Sequence, residues 1–415
     1  MKKILIEHLN QLASPSGKTA QKGSRMKQLT YISDAAVYIE DGIICKVGKT
    51  EEILPVLDRE SCMVIDGRGK CAVPGFVDSH THFIFGGYRP EEFIRRLEGA
   101  SYLEIMKMGG GIQSTVDATR AESEEELYRT GKERLKNMLA QGITTVEGKS
   151  GYGLDRECEL KQLRVLEKLK EDQAVEVVPT YLGGHAVPRE YQKDADAYIT
   201  MMIEQILPEV RRKNLAEYCD VFCEDSVFTV EQSERLLKAA AEMGYKLKIH
   251  ADEIVSTNAA LLAVRLHASS ADHLLMISDL EIQEMAESGT VATLLPATAF
   301  CLDKPYAPAR KLIDSGCAVA LASDFNPGSC FADSVPLLFA LAVIHMKMSV
   351  EEALCALTLN GAAALDRAEV IGSIEEGKQA DINLLKYPDY RYLVYHTDAN
   401  LVDKVMKRGE IVYES

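Results

Sequence analysis

Residues 73–83 read VPGFVDSHTHF, a short apolar run that ends in two histidines, His80 and His82, spaced two apart. Residues i and i+2 of an extended strand project to one face, so both imidazoles can address a single ion. An isolated HxH is common and means little by itself; its weight comes from the pattern that follows it. From Val73 onward, short apolar runs alternate with longer amphipathic stretches, the rhythm of repeated strand and helix. Strands are predicted at Gly75–His82, Thr144–Lys149, Val175–Leu182, Asp220–Glu224, Lys246–His250, Ser270–His273, Val291–Leu295 and Ala318–Asp324. Helix-like segments between them include Glu124–Leu139, Glu157–Glu171, Thr229–Met243 and Asp279–Ser288, several opening on acidic or hydroxyl residues that suit a helix start. Eight strands in this order predict an α/β fold, a closed (β/α)8 TIM barrel over residues 73–368. Residues 1–72 and 369–415 read instead as short β pieces with turns such as Glu40-Asp41-Gly42, and are expected to pair into one small composite β domain.

The chain has 415 residues, 47% hydrophobic and 27% charged, which places it with ordinary globular enzymes rather than disordered chains. It holds no run of eighteen uncharged apolar residues, and its opening, Met-Lys-Lys-Ile-Leu-Ile-Glu, breaks off before a signal-peptide apolar region, so a cytoplasmic location is expected. The ten cysteines are scattered, the nearest pair being Cys219 and Cys223, which indicates reduced thiols rather than a CxxC zinc knuckle or a disulfide framework. A net charge of −16 without a basic run argues against nucleic acid and membrane partners. It also means that an anionic substrate needs a specific local cation to hold it.

Active sites of such barrels lie at the carboxyl ends of the strands. Four of the nine histidines end three predicted strands there: His80 and His82, His250 in HADE (250–253), and His273 in SADH (270–273). Asp324 ends the eighth strand in ASDFNPGS (322–329). Any one of these alone would read as a structural residue; together they predict a metal site. Neutral imidazoles plus one carboxylate suit Zn(II) or Fe(II)/Fe(III) and do not decide between them.

VPGFVDSHTHF, HADE, SADH and ASDFNPGS stand in the order and spacing of the amidohydrolase superfamily, and GSIEEGKQAD (372–381) resembles its closing signature. More narrowly, FGGYRPEEF, GGGIQSTVDATR, EGKSGYGL, GGHAVP and SDFNPGS resemble its imidazolonepropionase family over essentially the whole chain. That resemblance implies hydrolysis of 4-imidazolone-5-propanoate to N-formimidoyl-L-glutamate, the third step of histidine degradation, and a homodimer. It implies one metal ion per chain on His80, His82, His250 and Asp324. Substrate contacts are implied at Arg89, Tyr102, Tyr152, His185, Glu253, Asn326, Gly328 and Ser329, with Glu253, His273 and Asp324 as the catalytic groups. Binuclear relatives carry a carbamylated lysine at the end of the fourth strand, where this chain has Cys223-Glu224-Asp225, so a mononuclear site is expected.

Each residue also has a plainer reading. Arg89 could pair on the surface with Glu91 or Glu92, Asn326 and Ser329 could order a turn, and Lys149 could pair with Glu147 or Glu159. GITTVEGKS (142–150) imitates a phosphate loop, but five residues rather than four separate its glycines and the apolar strand lies between them. Gly109-Gly110-Gly111 lacks dinucleotide-site spacing and reads as a tight loop near the site. The rival reading within enzymes is an aminohydrolase acting on a purine, pyrimidine or related ring, which the same ligands would serve. Outside enzymes it is a metal-binding or nucleotide-switch protein.

Overall fold

Polypeptide from both ends of the chain builds one mixed sheet in the computed structural model, which describes residues 2–100 and 110–415. Its strands are β1 (Lys3–Pro15), β2 (Leu29–Glu40), β3 (Ile43–Lys49), β4 (Met63–Asp66) and β5 (Cys71–Pro74) from the N-terminal part. From the C-terminal part come β14 (Ile382–Leu385), β15 (Val402–Lys407) and β16 (Glu410–Glu414). The order is β16-β15-β14-β5-β1-β2-β3, with β4 pairing β1 out of line. Antiparallel β5 and β14, in register Ile382 to Pro74, join the two chain ends. Ile6, Leu12, Val37, Ile382, Leu384 and Met406 fill the core of this sheet.

The second sheet is parallel and follows chain order: β6 (Phe76–Asp78), β7 (Ile143–Lys149), β8 (Glu176–Gly184), β9 (Tyr218–Cys223), β10 (Lys246–Ala251), β11 (Ser270–His273), β12 (Val291–Leu294) and β13 (Val319–Leu321). These are the eight predicted strands, most within two residues of their expected ends. The exceptions are β13 and β6. The latter stops at Asp78, short of the expected His82, because its backbone then turns to partners outside a regular ladder. His82 N–H donates to the Phe325 carbonyl at 2.9 Å, Asp324 N–H donates to that of His80 at 3.0 Å, and Thr81 bridges Phe325. That bridge closes the barrel. Among the described residues, no helix is long and apolar enough to cross a membrane.

The four helices expected from periodicity are found at Glu124–Ala140, Arg156–Asp172, Val230–Glu242 and Asp279–Glu287. Side chains of Ser123, Asp155, Thr229 and Ser278 accept the first free N–H groups, which explains why the helices begin where they do. GITTVEGKS is mostly β7, not a loop, which removes the phosphate-cradle reading.

Sheet and barrel are fastened by buried polar groups. Asn383 Nδ2 donates to the Gly142 carbonyl at 2.9 Å, and Lys407 Nζ lies 2.7 Å from Asp381 and 3.2 Å from Glu176 of β8. Lys407 is 4% exposed, so its removal leaves the buried Asp381 without its cation. Lys407→Met is expected to cost about 3 kcal/mol, since Glu176 keeps its arginine partners. Urea unfolding checks this; an unchanged midpoint would show that the two sheets do not rely on the pair.

Candidate active site

At the carboxyl ends of the strands, side chains from opposite walls of the barrel meet. The Nε2 atoms of His80 and His82 are 3.2 Å apart, and that of His250 is 3.4 Å from His82. Asp324 Oδ1 lies 3.7 Å from His80 Nε2 and 3.5 Å from His82 Nε2. All four side chains are almost wholly buried. An ion with bonds of about 2.1 Å would space tetrahedral donors about 3.4 Å apart, so His80, His82 and Asp324 fit one zinc-like or iron-like ion, with His250 placed beside His82 to join them. Among the described residues, every cluster able to hold a metal draws on His80 or His82.

The inward-facing atoms of this candidate set are aimed by groups behind them. His80 Nδ1 is 2.6 Å from Asp272 Oδ2, and His250 Nδ1 is 3.0 Å from Asp220 Oδ2, which leaves each Nε2 toward the centre. Thr298 Oγ1 donates to Asp324 Oδ2 at 2.7 Å, leaving Oδ1 for the cluster. Burial, with Lys149 and His250 nearby, holds His80 well below the ordinary imidazole value, and burial with His185 does the same for His82. Both rings are therefore neutral, the form in which imidazole ligates. Asp324 and His273 have left-handed backbones, φ 52° and 79°, a strain that collects where strands end at functional sites.

Around this cluster stand most of the remaining predicted residues. His185 stacks on His82, centroids 4.8 Å apart, and its Nδ1 meets the Gly151 carbonyl at 3.0 Å. Tyr152 lies 6.0 Å from the His82 ring. His273 sits 5.1 Å from His250 by ring centroids, and neither of its nitrogens has a hydrogen-bond partner. Its Nδ1 is 3.6 Å from Glu253 Oε2. Burial pushes the Glu253 carboxyl up to about 8, and the charges of Asp324 and Glu224 add to this.

Arg89 is no surface residue: it contacts Glu92 at 3.3 Å with both side chains near one-tenth exposed. Its guanidinium lies so close over Gly328 that an added Cβ would fall 1.4 Å from Nη2, which explains the glycine. Its buried Nε has no hydrogen-bond partner. Asn326 and Ser329 satisfy each other and the turn, Asn326 Oδ1 accepting from Gly328 N at 2.9 Å and Ser329 N at 2.8 Å. Tyr102 lies outside the described residues, as does Gly109. Gly111, with φ 79°, precedes the helix Ile112–Ala121 and donates to Glu92, the partner of Arg89.

Lys149 pairs with Glu147 but not with Glu159, whose carboxylate instead accepts the N–H groups of Gly151, Gly153 and Leu154. Asp220, Asp272, Lys248 and Thr298 were not singled out by the sequence. The available signal was ionisable residues inside apolar predicted strands, a placement tolerated only when charges are paired.

A profile of the amidohydrolase family matches residues 71–412. The chain is 55% identical over 409 residues to an imidazolonepropionase of Parabacteroides distasonis, covering 99% of this chain and 98% of that protein. It is 52% identical over 411 residues to an imidazolonepropionase of Clostridium tetani, covering 99% and 98%. Among solved structures, an adenosine deaminase from Xanthomonas campestris with bound zinc superposes with TM-score 0.73 at 19% identity, covering 99% and 92%. A guanine deaminase from C. acetobutylicum with bound guanine superposes with TM-score 0.69 at 17% identity, covering 99% and 100%. At such identities the last two establish a common fold and nothing finer.

Proposed function

The chain belongs to the amidohydrolase family and, within it, to the imidazolonepropionases, and from that premise we propose that it hydrolyses the cyclic amide of 4-imidazolone-5-propanoate to N-formimidoyl-L-glutamate. The observation that carries this reading is relatedness above 50% along nearly the whole chain. The geometry supports it through a nitrogen-rich ligand set and the guanidinium of Arg89, whose charge reaches Tyr152 beside His82.

His80, His82, His250 and Asp324 are the residues that would hold one Zn(II) or iron ion per chain. Bound there, such an ion supplies Lewis-acid polarisation and makes water acidic enough to attack near neutral pH. Arg89 binds the substrate propionate: the planar fork matches a carboxylate, and its unpartnered Nε–H needs an acceptor. Glu253, with its carboxyl raised to about 8, can hold a proton near neutrality. In its ionised form it takes a proton from the attacking water and hands that same proton to the ring nitrogen as the C–N bond opens. His273 donates to the carbonyl oxygen as negative charge grows there, which its unpaired nitrogens permit. Tyr152 and His185 wall the ring beside His82, while Asn326 and Ser329 hold the turn that seats Gly328 under Arg89.

Incubation with freshly generated 4-imidazolone-5-propanoate is expected to abolish its ultraviolet absorption with equimolar formimidoylglutamate, in protein carrying one metal ion per chain. Ammonia release without that product would overturn the reading. Glu253→Gln should keep the metal and lower kcat about a hundredfold or more, the scale of a lost positioned acid and base; full turnover with metal bound would remove Glu253 from the reaction. Arg89→Ala should leave metal content intact yet lower kcat/KM by roughly two to four orders of magnitude, because an unpaired desolvated carboxylate costs about 3–5 kcal/mol. Arg89→Lys should recover only part, lacking the bidentate fork. Steady-state kinetics beside metal analysis decides; unchanged efficiency in the Ala variant would place the carboxylate elsewhere.

A further inference from the structure

Directly beneath the ligand cluster the barrel interior is ionic. Glu147 and Lys149 of β7, Asp220 of β9, Lys248 of β10 and Asp272 of β11 have fully buried side chains. Lys149 Nζ is 2.7 Å from Asp220, 2.9 Å from Glu147 and 3.9 Å from Asp272. Lys248 Nζ is 2.8 Å from Glu147, 3.6 Å from Asp272 and 2.6 Å from the Ser79 carbonyl. Interiors of such barrels are ordinarily filled by branched apolar side chains, and apolar isosteres of buried ion pairs are often no less stable. Stability alone therefore does not call for two lysines and three carboxylates in this place.

What the layer does contact is the back of the ligand set. Asp220 Oδ2 lies 3.0 Å from His250 Nδ1, off the line of a hydrogen bond, and Asp272 hydrogen-bonds His80 Nδ1 at 2.6 Å. Among the described residues, Lys149 is the lysine or arginine paired with Asp220, whereas Asp272 is reached by both lysines. We propose that Lys149 is a positioning residue: it holds Asp220 and Asp272 as fixed anionic acceptors, so that the His250 and His80 rings keep Nδ1 inward and present Nε2 to the metal. Its action is indirect, since Lys149 touches the carboxylates and the carboxylates touch the ligands. The inference rests on the four-ligand reading given above.

The test is Zn(II) affinity of metal-stripped protein, titrated against a chromophoric chelator, for the parent chain, Lys149→Met, Lys149→Arg and His250→Ala. Lys149→Met is expected to bind Zn(II) about 10- to 100-fold more weakly, the range for losing support behind a metal ligand. Lys149→Arg, which retains the charge, should recover part of the loss. Urea unfolding of the same metal-free samples separates this from general weakening, because a merely structural role would lower stability without changing the affinity of folded protein. Should Lys149→Met not fold, Lys149→Met with Glu147→Gln removes one charge of each sign, and the same loss of affinity is expected. A folded variant of either kind that binds Zn(II) within twofold of the parent overturns the proposal. If His250→Ala also binds as the parent does, the ligand assignment itself has failed. If His250→Ala loses binding while Lys149→Met keeps it, only the role of Lys149 falls.

Discussion

A carboxylate buried in a barrel interior stays ionised only if a cation is buried with it, and the chemistry at the strand ends rests on that pairing. Burial opposes the ionisation of Asp220, yet His250 and Lys149 beside it hold its carboxyl well below the usual range. Asp220 and Asp272, the latter pushed up by burial against the pull of Lys248 and Lys149, face the Nδ1 atoms of His250 and His80 and so set which lone pairs face the site. Without that constraint each buried imidazole would be free to present either nitrogen.

Above this floor the rim has a different task. A protein of net charge −16 has no general attraction for an anion, so recognition of a propionate must be local. Arg89, the residue proposed for this task, is held by contacts within the protein: Glu92 holds one Nη, Gly328 leaves room for the other, and Gly111 anchors Glu92 in turn.

The barrel was legible because its strands are apolar runs of three to nine residues separated by capped amphipathic helices, signals that local sequence carries. The ligand cluster was legible because HxH, HADE, SADH and the Asp324 segment mark strand ends. What escaped was set by pairings across the barrel. The partners behind His80 and His250 lie 192 and 30 residues away, so no spacing announces them. Lys149 was read as an ion-pair residue, but the choice of Asp220 over Glu159 depends on which wall each faces. The first strand was drawn too long for a related reason: apolar pattern predicts where a strand could run, whereas its end depends on when the facing strand stops offering a ladder.

That early end is also what makes the site possible. The short strands β6 and β13 close the barrel through one irregular bridge, with Asp78 accepting from Ser323 N at 2.9 Å and from its hydroxyl at 2.5 Å. A regular ladder through this corner would alternate successive side chains between the two faces and keep Asp324 in extended backbone. The left-handed turn at Asp324 instead brings its carboxylate beside His80 and His82. An eight-stranded barrel is just wide enough for side chains from facing walls to fill it, so His250, reaching across from β10, arrives within 3.4 Å of His82. Strand number sets the span, and the irregular corner sets the angle. A ligand set drawn from β10 and the seam between β6 and β13 follows from both.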